Sequence, residues 1–214
     1  MSANLTITAA DDIDADGTGS ATTGSGGGGG SFPQSSILDT FNRANEGPPP
    51  SASWGGIWEN GSVGMVVSGN TCTNASNSNG TSYWGSSFGP DVEAYLTITA
   101  FGAYQGIAAR LAGTLGSSPN GYYVQGESNS IEIFRIDGGS FVQLGASISQ
   151  TISNGDSLGI SIVGTTITAY YKVGAGAWTA VGNRTDSTYS AAGKIGVRSA
   201  GTSVVLDGFG GGTI

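Results

Sequence analysis

From Ile37 onward, short strand-like runs recur about every 8 to 15 residues and are separated by Gly, Asn, Asp or Pro. No stretch shows an apolar period of 3.6 residues over a useful length, so no helix is predicted. Short strands at this spacing are typical of two antiparallel sheets packed face to face. Because a chain of 214 residues fits one large sandwich with an appendage, we predict an all-β fold with a single core.

One strand can be assigned face by face. In residues 91–99, DVEAYLTIT, apolar side chains occupy every second position from Val92. Successive side chains of a strand point to opposite faces of the sheet. We therefore expect the face with Val92 to pack into the core and the face with Asp91, Glu93 and Tyr95 to meet water.

Two hairpins are predicted in the second half of the chain. Strand-like residues 157–162 and 166–173 flank the pair Gly164 and Thr165, which suits a tight turn. Residues 174–176 then lead into a second hairpin. The side chains expected to point inward from the first hairpin are Leu158, Ile160, Ile162, Ile167, Ala169 and Tyr171.

The two ends of the domain have matching apolar patterns, ILDTF at residues 37–41 and VLDGF at residues 205–209. The match predicts neighbouring strands on which Leu38 and Leu206 share one face. Pairing of the first and last strands would also protect two sheet edges. The residues expected to cover this end of the core are Ile37, Phe41, Val205 and Phe209.

Charge and residue types exclude several classes of function. The net charge is −8, and only seven scattered Lys and Arg residues are present, which disfavours binding to nucleic acid. Histidine is absent and Cys72 is the single cysteine, so neither a His-dependent nucleophile nor a disulfide is predicted. Ser87 in GSSFG has the spacing of a nucleophile elbow but lacks its histidine base.

Residues 1–35 read as an extended, acidic and Gly-rich N-terminal arm. They contain too few apolar residues to form a core. They also lack the basic and apolar regions of a signal peptide, and no later stretch has the ~20 apolar residues of a membrane span. The alternating run around Leu5 and Ile7 is expected to add to a sheet edge or groove of another protein chain and to anchor the domain there.

Three aspartates of the arm, Asp12, Asp14 and Asp16, match the start of a calcium-binding loop. The twelfth position of that loop falls on Thr23, where the bidentate Glu would be needed. Two interpretations remain: a weak or partner-completed Ca²⁺ site, or an acidic, solvated tail. No other cofactor is expected.

Three segments carry a family resemblance: LDTFNRANEGPPPSASWGGIW, GISIVGTTITAYYKVGAGAW and TDSTYSAAGKIGVRSAGTSVVLDGFGGG. Together they resemble a concanavalin A-like lectin/glucanase domain of the laminin-G-like kind over residues 36–212. The resemblance implies an antiparallel two-sheet jelly-roll sandwich, and we assign residues 36–214 to it. Domains that open with DTFNRA also resemble those in structural proteins of tailed bacteriophages, which implies roles in virion architecture and in attachment to surface glycans.

Some relatives with this fold hydrolyse glucans with Glu-x-Asp-x-x-Glu or a close variant on one strand. The nearest match here, Asp91-Val92-Glu93, lacks the third acid, and Glu127, Glu132 and Asp137 form no such motif. We therefore predict that the protein is not an enzyme.

Glycan binding needs an exposed aromatic ring to stack on a sugar and polar donors around it. The candidates are Tyr83, Trp84, Tyr104, Arg110, Tyr122 and Tyr123. We expect the ends of the sandwich to be plugged instead by Trp54, Trp58, Phe41 and Phe209.

Taken together, these features predict a virion structural protein, present in multiple copies as a capsid decoration or tail protein and assembled in the host cytoplasm. Its partners would be other virion proteins and surface polysaccharide, but neither nucleic acid nor a membrane. The alternatives are a free carbohydrate-binding module and a glycoside hydrolase.

Overall fold

The computed structural model describes residues 31–201 and 203–214. These residues form fifteen β-strands and no helix, and therefore no helix that could cross a membrane. The strands are β1 (Ile37–Asp39), β2 (Met65–Ser68), β3 (Thr71–Asn74), β4 (Asn79–Tyr83), β5 (Val92–Ala100), β6 (Gln105–Thr114), β7 (Ser118–Glu127), β8 (Ser130–Asp137), β9 (Ser140–Gln143), β10 (Ile148–Ser149), β11 (Ser157–Val163), β12 (Thr166–Lys172), β13 (Thr179–Thr185), β14 (Lys194–Ala200) and β15 (Val205–Thr213).

The strands form two antiparallel sheets. Sheet A has the order β13-β12-β11-β5-β15-β3-β2, and β1 also pairs with β15. Sheet B has the order β10-β8-β7-β6-β14-β4, and β9 also pairs with β8. The inner faces of the two sheets enclose the main apolar core. The predicted all-β, two-sheet jelly-roll sandwich is confirmed.

The hairpins form where the sequence places them. β11 and β12 pair up to Val163 and Thr166, with Gly164 and Thr165 in the turn between them, and β12 continues into a hairpin with β13. The predicted inward side chains of β11 and β12 are buried, and so are those of β5 beginning with Val92.

The outer face of β5 differs from the prediction. Glu93 and Tyr95 are buried, because residues Phe32–Ser35 run across them. We call this four-residue segment the strap. It is the last part of the predicted arm and lies against sheet A. The remainder of the arm, including Leu5, Ile7 and the three aspartates at 12, 14 and 16, lies outside the described residues.

The first and last strands are neighbours, as predicted. β1 pairs with β15 through Ile37 and Gly210 and through Asp39 and Phe209, with a shift of register between the two pairs. Phe41, Phe209 and Leu206 are buried. The prediction is wrong for Ile37, whose side chain is 53% exposed, because the short β1 lies at an irregular pairing.

Candidate functional site

One part of the outer face of sheet B carries a second apolar cluster. Tyr123 of β7 pairs with Phe134 of β8 and with Ala108 of β6, on the side away from the main core. Trp58, from the segment between β1 and β2, and Phe141 of β9 pack onto Tyr123. This part of the face is therefore largely covered by the protein's own side chains.

The other part of this face is polar, and at its centre the side-chain amide of Gln125 lies between the carboxylates of Glu127 and Glu132. Gln125 Nε2 donates to Glu127 Oε1 at 3.2 Å and to Glu132 Oε2 at 3.1 Å. Ser147 Oγ donates to the second oxygen of Glu132 at 2.8 Å. Gln125 is buried, whereas both carboxylates are partly exposed. The arrangement holds two hydrogen-bond acceptors at the surface in fixed positions.

Burial and the neighbouring charge of Glu132 raise the pKa of Glu127. The backbone N–H of Tyr104 and the charge of Arg198 act in the opposite direction on that pKa and do not outweigh the first two effects. A carboxyl with a raised pKa holds a proton more readily than an isolated Glu does, so it can switch between accepting and donating hydrogen bonds.

A buried ion pair lies beside this amide and its carboxylates. Arg198 Nε donates to Glu59 Oε2 at 2.7 Å, and its Nη2 donates to Glu59 Oε1 at 3.1 Å. The guanidinium carbon lies 5.3 Å from the centre of the Phe141 ring and 5.9 Å from that of Tyr123. Arg198 therefore lies at the boundary between the polar and the apolar part of the face and contacts aromatic rings of the apolar part.

Tyr104 lies at the border of this site in an unusual backbone conformation. Its φ is 56°, in the left-handed region that non-glycine residues seldom adopt and that is frequent at functional sites. Its carbonyl accepts hydrogen bonds from Tyr123 Oη at 2.9 Å and from Arg198 Nη1 at 3.2 Å. The backbone is thus held in place while the side chain remains 50% exposed.

We define the polar patch as these five residues: Tyr104, Gln125, Glu127, Glu132 and Arg198. The predicted candidates divide around it. Tyr104 belongs to the patch, and Tyr123 lies buried beside it. Tyr83 lies on the same outer face, partly buried against the apolar cluster.

The other three predicted candidates make structural contacts. Arg110 is buried and donates to three backbone carbonyls, those of Pro90, Gly164 and Tyr189. Tyr122 points into the main core, and its hydroxyl donates to Asp186 at 2.7 Å. Trp84 packs edge-on against Trp54 at the end of the core. A sugar in solution cannot reach Arg110 or Tyr122, which corrects their assignment as ligand contacts, whereas Trp84 is only partly buried and its assignment stays a prediction.

Four residues of the patch did not come from the sequence. Gln125, Glu127 and Glu132 occupy alternate positions on β7 and β8, so assigning the faces of those strands would have found them. Arg198 and Glu59 are separated by 139 residues, and no local pattern joins them. Within the described part of the chain, no group of three or more His, Cys, Asp or Glu residues is placed to hold a metal ion.

Comparison with protein-family models finds no match, and comparison with curated protein sequences finds none either. Solved structures do match. The carbohydrate-binding module CBM66 from Bacillus subtilis is 16% identical, with a TM-score of 0.50 over 73% of this chain and 91% of its own. The Ca²⁺- and mannose-bound VIP36 exoplasmic/lumenal domain is 11% identical, with a TM-score of 0.59 over 84% of this chain and 89% of its own.

A third similar structure is a Bacillus subtilis protein of unknown function with a galectin-like fold. It is 10% identical, with a TM-score of 0.52 over 83% of this chain and 96% of its own. At these identities the likeness concerns the fold alone. The chain therefore has the lectin-like jelly-roll fold that its resemblance to concanavalin A-like domains predicts.

Proposed function

We propose that the polar patch binds carbohydrate without cleaving it. The observation that carries this proposal is the fixed arrangement of Gln125 between Glu127 and Glu132, next to the backbone of Tyr104, a residue that is half exposed. Sugar hydroxyls can donate to the two carboxylates, and the tyrosine ring offers an apolar face for the C–H groups of a pyranose. Preorganised polar groups reduce the ordering cost of binding.

The structural neighbours support a carbohydrate ligand. One is a carbohydrate-binding module, and the VIP36 domain was solved with mannose bound. The low surface charge of this chain agrees with a neutral ligand, since charged residues make up only 10% of it.

The test is a glycan array, followed by calorimetric titration of the best ligand. We expect Glu132→Gln to weaken binding at least about tenfold, because a hydrogen bond to a charged group contributes roughly 1.5–3 kcal/mol. Tyr104→Ala should also weaken binding, because it removes the apolar face on which the sugar stacks. Matched controls are Val173→Ala and Glu46→Gln, which change exposed residues away from the patch. Equal losses in the controls, or no binding to any glycan on the array, would refute the assignment.

Hydrolysis is the second candidate function, and the raised pKa of Glu127 is the observation that favours it. Two features oppose it. Glu127 lies on β7 and Glu132 on the neighbouring β8, whereas the motif of the hydrolytic relatives places its acids along one strand. In the sequence-predicted pair, Glu93 is buried under the strap. Polysaccharide turnover that Glu127→Gln abolishes would establish a hydrolase.

We also propose that the domain is displayed on a bacteriophage virion, with residues 1–30 of the predicted arm as its attachment to other virion proteins. The DTFNRA resemblance and the acidic, Gly-rich composition of residues 1–30 support this. Deleting residues 1–30 should abolish incorporation into particles and leave glycan binding unchanged. A free carbohydrate-binding module predicts no particle association with or without these residues.

A further inference from the structure

The strap lies in an aromatic cradle on the outer face of sheet A. The ring of Phe32 stacks on Tyr170, with centroids 3.9 Å apart and planes 8° apart. The rings of Tyr95 and Trp178 meet it edge-on, at 6.3 and 4.9 Å. Gly159 forms the floor, where any side chain would collide with the Phe32 ring. The cradle is therefore shaped for one aromatic ring.

A buried carboxylate holds the rest of the strap. Glu93 Oε1 accepts from the backbone N–H groups of Gln34 and Ser35, at 2.6 and 2.5 Å, and from Ser35 Oγ at 2.6 Å. Tyr95 Oη donates to the Ser35 carbonyl at 3.0 Å. Sheet A thus forms hydrogen bonds with both the backbone of the strap and its Ser35 hydroxyl.

The second oxygen of Glu93, Oε2, is buried without a hydrogen-bond partner among the described residues, and Glu93 as a whole is 0% exposed. Burying an unsatisfied charged oxygen is unfavourable, so Glu93 is a poor choice for stabilising the sheet alone. Among the described residues, the groups that donate hydrogen bonds to the Glu93 side chain all belong to the strap. If the strap leaves, water can reach both oxygens, and this hydration offsets part of the lost contacts.

We propose that this face of sheet A is a peptide-binding site for an aromatic-Pro-x-Ser segment, which the chain fills with its own residues 32–35. The bound strap fixes the point at which residues 1–30 join the domain. That point lies on the outer face of sheet A, whereas the polar patch lies on the outer face of sheet B.

The proposal is tested by offering the strap sequence as a separate peptide. The probe is the acetylated and amidated hexapeptide SFPQSS, titrated against the full chain and against its double variant Phe32→Ala, Ser35→Ala. We expect the double variant to bind the peptide at least tenfold more tightly than the wild type, whose site is filled. The same peptide with Ala in place of Phe should bind the variant at least tenfold more weakly. Equal affinity for both proteins, or no binding to a folded double variant, overturns the proposal.

Hydrogen exchange keeps the proposal testable if the double variant does not fold. The amides of Gln34 and Ser35 should be protected in the wild type and should lose at least tenfold of that protection in Glu93→Gln. Gln34→Ala is the matched control, because the Gln34 side chain is exposed, and it should leave the Ser35 amide protected. Exchange of both wild-type amides at the rate of a free peptide overturns the proposal that the strap is bound to sheet A. Glycan binding by Glu93→Gln stays at the wild-type level, so this outcome is independent of the carbohydrate proposal.

Discussion

Replacing Phe209 by Ala should remove the side chain that closes the sandwich between its first and last strands. Phe209 is 0% exposed, and its ring centre lies 4.7 Å from that of Trp54 and 6.3 Å from that of Trp84. Truncating a buried Phe to Ala removes about 3–5 kcal/mol from the free energy of unfolding. For a domain of this size, each kcal/mol lowers the melting temperature by about 2–4 °C. We therefore expect the melting temperature to fall by roughly 10 °C.

Calorimetry together with urea unfolding, followed by tryptophan fluorescence, measures this change. Val173→Ala is the control: it also truncates an apolar side chain to Ala, but at a residue that is 66% exposed, and changes at such positions usually stay within about 0.5 kcal/mol. The inference that β1 and β15 close the core would fail if Phe209→Ala melted within about 2 °C of the wild type.

Three further results are expected. Although burial opposes it, hydrogen bonds from Tyr122, Thr188 and Arg135 lower the pKa of Asp186 to about 2. The ionised Asp186 therefore contributes about 2 kcal/mol to the free energy of unfolding above pH ~4, and this contribution is lost as the pH falls toward ~2. Urea unfolding at pH 2–6 should show a weaker acid dependence in Asp186→Asn, and an unchanged slope would contradict this account. Glu59→Ala leaves the buried guanidinium of Arg198 without its carboxylate and should reduce the free energy of unfolding by about 3 kcal/mol; a loss below about 1 kcal/mol in the same assay would count against the ion pair. Burial raises the pKa of the Cys72 thiol, so a thiol reagent should label it only as the protein unfolds, and rapid labelling of the native protein would show that the thiol is accessible.

The architecture could be predicted because the inward faces of the strands carry a regular apolar pattern. Every second residue of β5 from Val92 to Ile98 is buried, and so are the predicted inward residues of β11 and β12. The outward faces could not be predicted in the same way. Glu93 alternates correctly with Val92, yet it is buried because a segment about 60 residues earlier lies across it. Strand periodicity says which side of a sheet a residue occupies, but not whether a distant segment covers that side.

The candidate site shows the same division. Tyr122 and Tyr123 are adjacent and point to opposite faces of sheet B, yet both are buried, because Trp58 covers the outer face as the core covers the inner one. Tyr104 lies in a loop whose backbone is held by Arg198, almost a hundred residues later. The exposure of an aromatic residue therefore cannot be predicted from the sequence when other segments pack on both faces of its sheet.

The central position of β15 affects how the chain reaches its native state. This strand lies between β5 and β3 and also pairs with β1, so residues 205–213 form the middle of sheet A. During synthesis, β5 and β11 can pair early, but the halves of sheet A cannot join until β15 has left the ribosome. Pairs between β1 and β15 span about 170 residues, and contacts of such high sequence separation form slowly. Until then, the edges of β3 and β5 that pair with β15 remain open, and unpaired strand edges make a nascent chain prone to aggregation.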